Sequence, residues 1–302
     1  MSLAEIASTA GGPRDETARL NYLVWKDDFR TEKPYEILSA IPKGFPKTNF
    51  VVKPGPHDEI MHDIRGRDTE FTLDANGFEI RQHALDLAPE TFDNAETIER
   101  EYLPMVEALL QEVDPGAEVY IFDWRMRSSD RSKSKLSVPG AVVDLDDPLI
   151  YLHPVHAVHV DQSRSGAVKR VRHHMGQRAD ALLKGRFRII NIWRPFNHPI
   201  ETEPLAVCDG STVPASKLIA ADHVRKYYVG ESLYPLPDPQ YRWYYLSRQT
   251  KDECLVFKTF DSSGEVTAKC CPHTAFPHEN VPADVPPRET IEVRALVFSP
   301  QS

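Results

Sequence analysis

The chain has 302 residues, 41% hydrophobic and 27% charged, with a formal net charge of −9. That length can bury a large core as one elaborate domain or two small ones, and the acidic balance argues against a general electrostatic grip on nucleic acid or an anionic membrane. No apolar run approaches the roughly 20 residues of a membrane helix, and Cys208, Cys254, Cys270 and Cys271 form no C-x-x-C pair, so neither a disulfide framework nor a zinc ribbon is expected.

The opening MSLAEIASTAGG has no basic start followed by a continuous apolar stretch, so no secretory signal is expected and the chain reads as cytoplasmic. Residues 1–18 are expected to form a flexible N-terminal arm and 19–302 a single domain. NYLVW and TNFVVKPGP read as short strands, the second stopped by Pro54 and Gly55. In FTLDANGFEIRQHAL two alternating runs flank Asn76-Gly77, which predicts a hairpin because that dipeptide tolerates positive φ at both turn positions. Apolar residues at 98, 102, 103, 105, 106, 109, 110 and 113 follow helical spacing, and Pro115-Gly116 ends the pattern. AEVYIFDWRMRSS then reads as a strand, and RSGAVKRVRHHMGQRADALLKGR as a strongly basic helix with Gly185 as its C-cap. RFRIINIWRPF, RWYYLSR, ECLVFKTFD and TIEVRALVF are β-rich runs separated by Pro, Asp, Gly and Ser. Residues 205–242, rich in proline and loop signals, are the expected site of an insertion. Many strands with a few helices, lacking regular β-α alternation, give a mainly β (α+β) fold: an antiparallel barrel or sandwich with flanking helices.

The stretch LHPVHAVHVDQS concentrates His153, His156, His159 and Asp161. In a strand alternate residues share a face, so His159 and Asp161 point the same way and Val160 points opposite. A second histidine from a distant strand would complete the two-histidine, one-carboxylate triad that leaves open positions on iron(II). H-x-D is by itself a weak signal. His153 and His156 read as structural or supporting groups, since Pro154 makes an unbroken strand from 153 unfavourable. CCPHTAF offers His273 as the second histidine, with His278 as its rival in a loop-like context. PRETIEVRALVF then presents Arg288 and Thr290 on one strand face. An arginine with a hydroxyl two residues on is similar to the R-x-S element with which 2-oxoglutarate oxygenases hold the far carboxylate of their cosubstrate; threonine keeps the hydroxyl. Arg294, further along that face, is the rival anchor.

HVDQS, RFRIINIWRPF, PLAVCDGSTV, RWYYLSRQTKDECLVFKTFD, PHTAF and PRETIEVRALVF together resemble the fungal hydroxylase/desaturase family, which includes gibberellin-desaturase-like proteins and relatives of a cephamycin-methoxylation protein. The likeness runs from about residue 18 to the C-terminus, with its most specific blocks in 186–298. It implies a double-stranded β-helix (jelly-roll) core. It also implies an enzyme that uses Fe(II), 2-oxoglutarate and O2 to hydroxylate or desaturate a small-molecule secondary metabolite. The substrate itself is left undefined, because members oxidise diverse small molecules.

In RFRIINIWRPF, alternation puts Asn191 and Trp193 on one face and Ile190, Ile192 and Arg194 on the other. Asn191, Trp193 and Arg194 are candidates for binding substrate, with a surface ion pair as the alternative for Arg194. Lys258 reads as a solvated edge charge, with a pocket lysine as the alternative. Lys169, Arg170, Arg172 and Arg178 give the basic helix a positive face, which raises nucleic-acid demethylation as a rival function; the net charge and the absence of interleaved aromatics stand against it. A metal-binding jelly roll without oxygenase activity, such as a cupin-like isomerase, hydrolase or plain binder, is the other alternative. The pocket is expected to be mostly apolar and aromatic, with a lid from the N-terminal region and 205–242. A homodimer is compatible with the chain; a membrane partner is not.

Overall fold

The computed structural model describes residues 14–300 except 40, 43, 134–146, 279, 280, 282 and 283. Five strands pair antiparallel in the order β6 (Phe78–Gln82), β13 (Glu253–Asp261), β8 (Phe187–Pro195), β15 (Glu289–Phe298) and β7 (Glu118–Ser128). Every residue of β8 and β13 is buried, so this sheet is covered on both faces.

Alternation decides what each face meets. Ile190, Ile192, Val256, Ile291 and Val293 pack onto Val106, Leu109 and Leu110 of helix α1 (Leu103–Val113). Truncating one of these to alanine costs about 2–5 kcal/mol, through lost transfer energy and a residual cavity. The helical spacing read from 98 to 113 is thus the stripe that α1 and the π turn before it (Ile98–Tyr102) bury. Asn94 caps the start by accepting from the Thr97 amide, and Gly116, at φ +82°, turns the chain away after the helix.

The opposite face of the sheet carries Phe78, Trp193, Leu255 and Phe257, which meet Leu205 and Val207. Those last two belong to a second five-stranded sheet: β1 (Glu16–Ala18), β5 (Glu59–Asp63), β12 (Trp243–Tyr245), β9 (Leu205–Cys208) and β14 (His273–Ala275). Two smaller sheets flank this pair, β11 (Val229–Pro235) with β10 (Leu218–Val224) and β3 (Tyr35–Ile37), and β2 (Asn21–Leu23) with β4 (Val52–Pro54). Single bridges from His159 to His273 and from Val160 to Leu233 stitch the histidine-rich segment between β14 and β11.

The expected flexible arm falls partly outside the described residues; its last part is strand β1, paired with β5. The Asn76-Gly77 hairpin does not form. Residues 73–76 are a turn in which the Asn76 and Gly77 amides donate to the Thr72 carbonyl, because Phe71 and Leu73 drop into the core instead of extending as a strand. The basic helix also stops early. Helix α2 (Arg164–Met175) ends at Gly176, whose φ of +52° breaks the helix, and only the short α3 (Ala179–Leu182) follows, so Gly185 is not its cap. Residues 205–242 begin inside the second sheet as β9 and continue into the β10–β11 hairpin. Among the described residues no helix is long and apolar enough to cross a membrane.

Candidate active site

His159 and His273 face each other across an antiparallel bridge, the amide of each donating to the carbonyl of the other at 3.2 and 2.9 Å. Directly opposed antiparallel residues project from the same face, and the two imidazole centroids lie 4.4 Å apart. Asp161, two residues beyond His159, returns to that face as strand parity requires. One donor atom from each of the three side chains lies within 4.8 Å of the others.

The remaining polar atom of each is occupied. His159 Nδ1 bonds the Ala157 carbonyl at 2.8 Å and His273 Nδ1 the Cys271 carbonyl at 3.1 Å. With Nδ1–H donating, Nε2 keeps its lone pair. Asp161 Oδ2 accepts from Asn191 Nδ2 at 2.7 Å and Arg294 Nε at 2.9 Å, which leaves Oδ1 free to ligate. Burial pushes the Asp161 carboxyl up, yet Arg294 and the histidines outweigh it and hold it well below the usual carboxylate range. Burial, with the neighbouring His159, pushes His273 down to about 4. Near neutral pH the cluster therefore offers an anion and a neutral imidazole, the protonation states a divalent cation needs. Two imidazoles, one carboxylate and open positions suit iron(II).

A narrow cleft leads from His159 and His273 to Trp193 and Arg288. Arg288 is 3% exposed, with its guanidinium 5.0 Å from the Trp193 ring and one amine donating to the Glu203 carbonyl. Among the described residues it forms no ion pair, while its Nε and the Thr290 hydroxyl are buried without a hydrogen-bond partner. Burial first, then the nearby Arg127, press on its charged form. A carboxylate would relieve both groups at once. Arg294 is already saturated: it pairs with Asp161 at 2.9 Å, Asp123 at 2.8 Å and Glu292 at 2.8 Å.

Beyond His159 and Asp161 a cavity of about 500 Å³ opens, with Phe122, Tyr228, Tyr234 and Leu152 in its walls. Its exposed lining is mostly apolar, as expected, but Glu36, Arg127, Arg170 and His223 also line it, so the polar groups are more numerous than the few anchors expected.

Of the other candidates, Asn191 reaches the cluster as a brace for Asp161 and also donates to Glu292 at 2.8 Å, and Trp193 walls the cleft. Arg194 does not reach it. Strand alternation sends Arg194 to the helix-covered face, where it donates to the His83 and Lys251 carbonyls. His156 pairs with Glu203 at 2.8 Å and His278 with Glu16 at 2.9 Å, both outside the cluster. Lys258 is neither an edge charge nor a pocket group; it is fully buried and 2.7 Å from Asp261. The four cysteines are buried free thiols, and burial lifts Cys270 to about 12. Missed from sequence were Arg127, which lines both cleft and cavity, and Glu292, which binds Asn191 and Arg294. Asp123-x-Arg125-x-Arg127 on β7 and Thr290-x-Glu292-x-Arg294 on β15 carried the signal: polar residues alternating with core residues in two neighbouring strands.

The family described as "Oxidoreductase/YMDC permease-like domain" matches residues 20–298. The chain is 32% identical over 251 residues to the "Fe(II)/2-oxoglutarate-dependent dioxygenase nvfI" of Aspergillus novofumigatus, spanning 80% of this chain and 84% of that one. It is 34% identical over 262 residues to the "Hydroxylase/desaturase efuI" of Hormonema carpetanum, spanning 79% and 82%. Among solved structures, the "iron and alpha-ketoglutarate-dependent endoperoxidase NvfI" superposes with a TM-score of 0.80 at 29% identity, over 95% of this chain and 99% of that one.

Proposed function

This chain belongs to the family of fungal Fe(II)/2-oxoglutarate-dependent dioxygenases and hydroxylase/desaturases, and we propose that it hydroxylates or desaturates a small secondary metabolite bound in the cavity beside Asp161. The observation that carries this reading is the convergence of His159, Asp161 and His273, each with one polar atom of its side chain tied down, which leaves Nε2 of the histidines and Oδ1 of the aspartate to ligate. Iron with 2-oxoglutarate and O2, when bound, supplies the oxidising power for an unactivated C–H bond.

The chain's own share is placement. His159, Asp161 and His273 hold the metal, and Asn191 and Arg294 fix the carboxylate that anchors it. Arg288 and Thr290 take the far carboxylate of the cosubstrate, with Trp193 stacked beneath the guanidinium to exclude water. Arg294, already held by three carboxylates, serves the metal ligand rather than the cosubstrate. The facing five-stranded sheets, β1 included, support a double-stranded β-helix core in a single domain. The insertion is the β10–β11 hairpin, which brings His223, Ser232 and Tyr234 to the cavity. The net charge of −9 and the lack of interleaved aromatics in the basic helix favour a small-molecule substrate over nucleic acid.

The test is product analysis. Iron-loaded protein is incubated with 2-oxoglutarate, O2 and candidate metabolites, and succinate and substrate masses are followed. Succinate formation coupled to gain of one oxygen or loss of two hydrogens is expected. No 2-oxoglutarate turnover with any metabolite, despite bound iron, would favour a non-oxygenase metal binder.

A further inference from the structure

One cation in the cavity has no ion-pair partner among the described residues. Arg170, on α2, has its guanidinium carbon 4.8 Å from the centre of the Phe122 ring and 4.3 Å from that of Tyr228. All three side chains line the cavity. Two aromatic rings within cation–π distance hold the guanidinium in place. Among the described residues Arg170 forms no ion pair, and its Nε and the Tyr228 hydroxyl are both buried without a hydrogen-bond partner.

None of the cavity's acidic groups pairs with Arg170: Glu36 lies 3.9 Å from His223. Asp161 and Asp123 are on Arg294, and Glu231 is on Lys33. Burial lowers the pKa of Arg170 from its ordinary value, and the field of Asp123, which is itself paired with Arg294, does not offset it. Arg170 also accounts for a feature the oxygenase reading left aside. Within the basic run Lys169 and Arg172 are exposed, and Arg170 turns inward.

We propose that Arg170 and Tyr228 form the anchor for a carboxylate on the substrate, so that this enzyme takes a hydrophobic carboxylic acid. A guanidinium and a phenol hydroxyl supply several donors and no competing strong acceptor, the complement of a carboxylate's lone pairs. With the acid held there, the apolar body of the substrate fills the cavity toward Asp161. This inference rests on the cavity being the substrate site of the oxygenase proposed above.

The test uses the full-length protein with Zn(II) and 2-oxoglutarate, titrated calorimetrically with 1-naphthylacetate and with abietate, each against its methyl ester. Wild type should bind at least one acid about tenfold or more tighter than its ester, the usual size of a charge-assisted contact. Arg170→Gln should abolish that preference while leaving ester and 2-oxoglutarate affinities unchanged, and Arg170→Lys should keep part of it. Tyr228→Phe preserves the stacking ring and should reduce the preference several-fold, which gives a readout even if Arg170→Gln folds poorly. The proposal is overturned if neither acid is preferred over its ester, or if the preference survives both Arg170→Gln and Tyr228→Phe. It is also overturned if Arg288→Gln removes the preference, since the acid would then occupy the cosubstrate cleft. An intact acid preference without 2-oxoglutarate binding would support the anchor and refute the oxygenase reading alone.

Discussion

Replacing Arg288 with glutamine should raise the 2-oxoglutarate KM about 30- to 150-fold, because a charge-assisted pairing with a carboxylate contributes about 2–3 kcal/mol. Arg288 forms no ion pair among the described residues, so its loss strands no protein carboxylate, and stability should change little. Iron affinity should also hold, since the hydrogen bonds that fix the three candidate ligands come from Ala157, Cys271, Asn191 and Arg294. Arg294→Gln should behave in the opposite way. It leaves Asp161, Asp123 and the buried Glu292 beside one another without their shared cation. Breaking such a pair destabilises a fold by about 3–5 kcal/mol, and loosening a ligand's support weakens metal binding about 10- to 100-fold. Three measurements separate the two variants: succinate formation against 2-oxoglutarate concentration, anaerobic iron titration, and thermal melting. An unchanged KM in Arg288→Gln, with the KM defect in a stable, iron-competent Arg294→Gln, would refute this division of labour.

Lys258→Met should lower stability by about 3 kcal/mol, since it removes one of the cations holding a buried carboxylate; Asp261 keeps Arg186 at 2.7 Å, and the 2-oxoglutarate KM should not move. Metal-free protein should lose stability on acidification. Burial depresses His223 to about 4 from an ordinary 6.5, so its contribution is complete above 6.5 and is lost as pH falls toward 4. By linkage this amounts to about 2 kcal/mol between pH 7 and pH 5, and melting curves that are flat over that interval would contradict it. Single- and double-stranded oligonucleotides should bind only weakly and be released by salt; specific, salt-resistant binding that stimulates 2-oxoglutarate turnover would favour the nucleic-acid alternative.

Much of the site was legible because strand parity is a strong constraint. His159 and Asp161, and likewise Arg288 and Thr290, are two apart and therefore share a face. The same parity already set Arg194 opposite Asn191, and the helix-covered face is where Arg194 lies. Pairing across strands is what a single sequence does not encode: that Asn191 and Arg294 both end on Asp161 follows from β8 and β15 being neighbours in register. Local propensity misled where tertiary burial outweighed it. Asn76-Gly77 has hairpin chemistry, yet Phe71 and Leu73 belong to the core. The basic run has helical composition as far as Gly185, but Gly176 takes a positive φ of +52° and ends α2. Lys258 looked solvated because lysine usually is, and only the fold reveals Asp261 beside it.

The central claim is that His159, Asp161 and His273 hold a catalytic iron, and anaerobic Fe(II) titration with parallel succinate assay tests it most directly. Wild type should bind iron tightly and turn over 2-oxoglutarate. Asp161→Ala should lose both, because it removes the only anionic member of the cluster. His156→Ala should retain both, because that imidazole is engaged with Glu203 outside the cluster. Tight iron binding and turnover surviving in Asp161→Ala but lost in His156→Ala would contradict the account.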